Sequence, residues 1–158
     1  MKIFCNVFSA LLGLFLITSG QAYAVDGHNA HHEHGSAKLS LNHDKKWPTD
    51  EPLRKGMETL RAAFSEHLHA IHEGKLSAAE FKTLGEKTEK EIGNIVAQCK
   101  LEPEADAMLH MVITDMIVGA DILLGKTKGK PRAGAHKVVS ALNNYGRYFD
   151  HPGWNILR

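Results

Sequence analysis

Trp47-Pro48-Thr49-Asp50-Glu51-Pro52-Leu53-Arg54-Lys55-Gly56-Met57-Glu58-Thr59-Leu60-Arg61-Ala62-Ala63-Phe64-Ser65-Glu66-His67-Leu68-His69-Ala70-Ile71-His72-Glu73-Gly74 is the stretch whose reading decides the fold. Leu53, Met57, Leu60, Phe64, Leu68 and Ile71 recur at three- and four-residue steps, which draws one apolar stripe down a helix. Thr49 or Asp50 supplies the cap. Glu51 suits the positive end of the helix dipole, and Pro52 is tolerated where amides have no intrahelical partner. Gly74 ends the helix, because a left-handed residue closes its last turn most easily without a side chain.

Three more stripes follow. Ser77-Ala78-Ala79-Glu80 is a capping box, and Phe81, Leu84, Thr88, Ile92, Ile95 and Cys99 continue from it. Pro103 opens a third helix with Leu109, Val112, Met116, Gly119 and Leu123 on one face. Its other faces carry Met108, Met111, Ile113, Ile117, Val118 and Ile122, so it is the most buried helix or a homodimer contact. Beyond a loop from Gly125 to Pro131, Ala135, Val138, Leu142, Tyr145 and Phe149 form the fourth stripe, and Pro152-Gly153 stops it. No segment alternates like a strand. The expected fold is all-α, an antiparallel up-down-up-down four-helix bundle preceded by a disordered His-rich tail. That course brings His43, Trp47, Met57, Cys99, Asp106, Met108, His110, Asp150, His151 and Trp154 toward one end, and Glu66, His67, His69, His72 and His136 toward the other.

Working outward to the start of the chain, Lys2, the apolar run Ile3 to Ile17, and Ala22-Tyr23-Ala24 have the three-part form of a cleavable export signal. The run falls short of the about 20 residues that span a bilayer. The expected division is a signal peptide over 1–24, the tail over 25–46 and the bundle domain over 47–158, with the mature chain in the periplasm and not in the membrane. Cleavage would remove Lys2, and with it the formal net charge of +1. With no basic stripe and few aromatics, nucleic acid is not an expected partner. Cys99 is the one thiol outside the signal, so no intramolecular disulfide is expected.

Histidine is the residue in excess, 11 in all, every one beyond Ala24. Imidazole nitrogens bind cupric, zinc and nickel ions, and several on one tail converge readily. His28, His31, His32 and His34 are the first candidate metal ligands, with Glu33 and His43 as weaker additions. Trimming of Val25 would create an amino-terminal Asp26-Gly27-His28 site suited to Cu(II). His67, His69, His72 and His136 are the second set: His69 and His72 share a helix face with Glu66 beside His69, while His67 turns toward His136. Cys99, Met108, His110 and Met111 would suit Cu(I), although all four do not easily face one point. Glu66-x-x-His69 is the one Glu-x-x-His pair, short of a di-iron set. No zinc-protease, phosphate-loop or nucleophile-turn motif is present, so the chain is not expected to be an enzyme.

Gly56-Met57-Glu58-Thr59-Leu60 and Asn143-Asn144-Tyr145-Gly146-Arg147-Tyr148 resemble cytochrome b562, a periplasmic four-helix haem protein. The resemblance implies a methionine ligand from the first helix, the place of Met57, and a histidine from the fourth, where this chain has Gly146. The related cytochromes c′ attach haem through Cys-x-x-Cys-His, which is absent here. The Trp47-to-Met57 and Tyr145-to-Trp154 patterns also look like a group of uncharacterised proteobacterial export proteins. The expected function is therefore a metal-binding accessory for copper, zinc or another transition metal. A b-type haem electron carrier using Met57 and a histidine such as His151, and a non-catalytic dimerisation protein, are the alternatives.

Overall fold

The computed structural model describes residues 38–158, which form four helices and no strand. The expected export signal, its expected cleavage site and the histidines at 28, 31, 32 and 34 lie outside the described residues.

Helix α1 runs Glu51–Glu73. Asp50 is its cap: one carboxylate oxygen accepts the Leu53 amide at 2.9 Å, a contact of about 1 kcal/mol. Gly74 closes the other end at φ 68°. All six residues of the predicted stripe are buried. Helix α2, Ala78–Gln98, begins with the Ser77–Glu80 capping box, and its buried Thr88 satisfies its hydroxyl on the Leu84 carbonyl at 2.7 Å. Cys99 was expected to extend the stripe; it is instead the extended residue after the helix, half-buried. The other Asp50 oxygen accepts the Lys100 amide at 2.6 Å, so one carboxylate caps α1 and holds the chain as it leaves α2.

Helix α3 spans Pro103–Leu123 and α4 spans Pro131–Tyr148. Each helix packs on its neighbours in chain order, α4 packs back on α1, and α2 and α4 touch across the middle. The closest approach joins α3 and α4, where Gly119 faces Gly134. A Cβ on Gly119 would lie 2.9 Å from the Gly134 carbonyl oxygen, and one on Gly134 would lie 2.7 Å from the Gly119 carbonyl. Those obstacles are backbone and cannot rotate away.

Lys38 to Lys46, expected as the end of a disordered tail, is an ordered strap on the bundle. Asn42 and Lys45 exchange backbone hydrogen bonds of 2.8 and 2.9 Å around His43 and Asp44, both at positive φ. The Trp47 indole N–H donates to the Ser40 carbonyl at 2.7 Å, and Lys46 donates to the Gly146 carbonyl at 2.7 Å. Leu39 and Trp47 pack on the core with Met108. The strap lacks helical periodicity because it is anchored by backbone groups and two apolar side chains. It also alters the expected second face of α3: Leu39 and Met111 line one groove, leaving Ile117 and Val118 as the exposed apolar pair.

Gly119→Ala is expected to lower stability by about 1–3 kcal/mol, because the added methyl must separate two helix backbones. A urea melt checks this. Gly93→Ala, which meets open space on α2, serves as the comparison and should match or exceed the wild type.

Candidate functional site

The seven histidines from His43 onward are all half-buried or exposed. Two of them meet across a helix boundary. His72, in the last turn of α1, stacks on His136 of α4, with ring centroids 5.3 Å apart and planes 8° from parallel. The expected partner of His136 was His67. His67 and His72 are five residues apart, which places them about 140° apart around the helix, and packing turns the His72 side toward α4. Burial holds the His136 imidazole below its ordinary pKa, and the neighbouring His72 and Arg132 add to this. Arg132 donates to the His72 carbonyl, which fastens the start of α4 to the end of α1. His69 pairs with Glu73 at 3.3 Å, whereas Glu66 was the neighbour expected beside it, and Glu73 also holds Lys75 at 2.8 Å. Among the described residues, no three His, Cys, Asp or Glu side chains converge as a closed metal cage.

The far end gathers different chemistry. The Trp47 amide donates to the Tyr148 carbonyl at 2.8 Å, and the Asp150 amide donates to the Trp47 carbonyl at 2.8 Å. Past that junction the chain turns at Gly153 and folds back. Leu157 exchanges two hydrogen bonds of 2.8 Å with the Asn143 side chain. This return lays His151 and Trp154 against buried Tyr145. The phenol and the His151 Nδ1 are 3.0 Å apart, and the Trp154 ring stands edge-on to Tyr145 at 4.8 Å. Arg61 lies over the Trp154 ring at 5.8 Å while gripping Glu58 at 2.6 Å. Burial raises the Tyr145 pKa and lowers that of His151, and the Arg61 hydrogen bond lowers that of Glu58.

Helical pattern alone did not reveal this aromatic corner, because His151 and Trp154 lie beyond the Pro152-Gly153 stop. Glycine at 146 was the available signal: the Trp154 indole occupies the space its side chain would need. That packing bears on the haem alternative. The helix-4 position implied as an iron ligand is filled by an indole, and Met57 is fully enclosed in the core. Neither position presents an exposed iron ligand in this structure.

The soft-ligand set is not brought together. His110 is exposed and pairs with Asp106 at 3.3 Å, and the Met108 sulfur accepts from Ser40 Oγ at 3.9 Å. Burial, helped by Asp50, pushes the Cys99 thiol up to about 12. It is therefore a neutral thiol at pH 7 and a weak nucleophile and metal ligand.

No known protein family, curated protein or solved structure matches this chain.

His136 and His151 both have depressed pKa values, so the unfolded chain binds protons more readily than the folded one. Stability is complete above about pH 6.5, the ordinary imidazole value, and falls as the pH drops through the lower folded values. Chemical denaturation from pH 7.5 to 5 should show this decline. His151→Gln should flatten part of it, since glutamine has no proton to gain.

Proposed function

We propose that this chain is a periplasmic metal-binding accessory protein for copper, zinc or a similar transition ion, acting in metal homeostasis or tolerance without catalysing a reaction. An export signal removed after Ala24 would deliver it, and His28, His31, His32 and His34 would be its first ligands. The carrying observation is the distribution of histidine. Four of the 11 lie within residues 28–34, and none of the seven on the described body is buried as a core residue. Imidazoles left at a surface are open to borderline divalent ions.

The body in this reading is an antiparallel, up-down-up-down bundle. Support comes from the Trp47–Tyr148 pairing at one end of α1 and α4, the Arg132–His72 contact at the other, and Asp50 bound to Lys100. His67 and His69 flank the His72–His136 pair as secondary ligands. The resemblance to cytochrome b562 is kept as a likeness of architecture, a reading supported by the Trp154 indole beside Gly146 and the enclosed Met57.

Equilibrium dialysis of the mature protein against Cu(II) and Zn(II), prepared without a His-affinity step, tests the reading. Replacing His28, His31, His32 and His34 together by alanine should remove at least half of the bound ion. Absent saturable binding, or binding unaffected by that replacement, would dismiss the role of these residues.

A second reading has one observation in its favour. Ile117 and Val118 are both exposed on α3, at 43% and 41%. A homodimer through that face would cover them. Light scattering should then show a dimer that Ile117→Glu converts to monomer; a monomeric wild type removes the reading.

A further inference from the structure

We infer that His72 and His136 form an open bis-imidazole clamp for a borderline divalent cation, Zn(II), Ni(II) or Cu(II), that rivets α1 to α4. The inference carries the metal-binding reading to one site on the folded body.

Geometry is its basis. A ligating imidazole nitrogen sits about 2.0–2.1 Å from a zinc ion, which puts the ring centroid about 3.2 Å from the metal. Two such rings at a tetrahedral angle have centroids about 5 Å apart. The observed separation is 5.3 Å. The rings are stacked and nearly parallel, so their in-plane lone pairs do not meet as they stand; rotation about χ2, a soft torsion in histidine, is what would aim a nitrogen from each at one point. Both Cα positions are already fixed by helix packing. The backbone ordering that a mobile segment must supply on binding has been completed by folding.

The surroundings set the strength. The two rings are the only protein ligands assigned, so water or exchangeable ligands fill the remaining positions, as in open zinc sites. Arg132, held on the His72 carbonyl, is a nearby cation and weakens binding. Glu73 is committed to His69 and Lys75. A modest affinity and rapid exchange follow.

The clamp has a signature that ligands outside the helices do not share. Its two halves lie 64 positions apart in the chain (136 less 72) and meet only in the folded bundle. An ion held there binds the folded state and raises its melting temperature by mass action. An ion held by residues 28–34 alone joins no helices and binds folded and unfolded chains alike.

Thermal unfolding of the full mature protein, followed by circular dichroism with Zn(II) alone and then with chelator, reads this directly. Saturating zinc should raise the melting temperature by about 5 °C or more. The rise should persist when His28, His31, His32 and His34 are alanine, and should fall by at least half in His72→Ala and in His136→Ala. His110→Ala, an exposed histidine on α3 outside the proposed ligand set, should retain it. A rise equal in all variants, or no rise in the wild type, overturns the clamp. Wild-type zinc binding by dialysis without any rise defeats the clamp and leaves the wider reading standing. A rise that survives while the arm replacement leaves total binding unchanged does the reverse.

Discussion

Helices α1 and α4 are fastened at both ends, and the positions of the other functional side chains follow from that. At one end Trp47 lies between Tyr148 and Asp150, with a backbone hydrogen bond to each. At the other, Arg132 holds the His72 carbonyl. Two helices fixed at both ends have little freedom to slide, so the separation of His72 and His136 is set by the whole bundle. The same fastening brings the strap and the returning carboxy-terminal segment onto the Tyr145 face. Asp50 adds the third helix end, because its two oxygens serve α1 and Lys100 simultaneously.

Most of this architecture was legible where a side chain repeats with the helical period. Leu53 through Ile71, Phe81 through Ile95 and Ala135 through Phe149 are buried as their spacing requires. Legibility ended where backbone groups carry the structure. Nothing periodic marks Leu39 or Lys46, which are held by packing and by a bond to the Gly146 carbonyl. The end of α2 was placed one residue late, since Cys99 is apolar enough to continue a stripe while the Asp50–Lys100 contact draws the chain out of the helix. Gly146 read as a missing ligand when taken alone. With Trp154 in view it is a seat for an indole, a relation between residues eight positions apart that no helical period encodes.

The histidine pair shows the same limit on a finer scale. Gathering His67, His69, His72 and His136 at one end needed only the order of the helices. Choosing which side chain meets His136 depended on the rotation of α1 about its axis, which packing fixes. His72 wins because Leu68 and Ile71 point inward, placing residue 72 at the seam with α4 and leaving His69 to reach Glu73 in solvent. Charge patterning was no better a guide: Glu66 and Glu73 are both within reach of His69 on sequence spacing, and only the rotamer selects between them.

The two ends of the bundle differ in how far their groups are committed, and that difference bears on the proposed role. At the Tyr145 end, the buried polar side-chain atoms but one already have partners, the phenol with His151 among them, while Arg61 holds Glu58 and Asp50 holds two amides. The exception, the Trp154 indole N–H, is buried and is not a metal ligand. Capturing an ion there would first break interactions that hold the fold. At the His72 end the rings touch each other and solvent, and the bonds that secure the helices use the His72 carbonyl and the Arg132 guanidinium, leaving the imidazole nitrogens free of structural work. Cation capture there costs the fold little, whereas the same event beside Cys99 would require stripping a proton from a thiol held neutral by burial and an adjacent carboxylate. The proposed role calls for ligands that are not also fasteners, and the imidazoles at the α1–α4 seam meet that requirement.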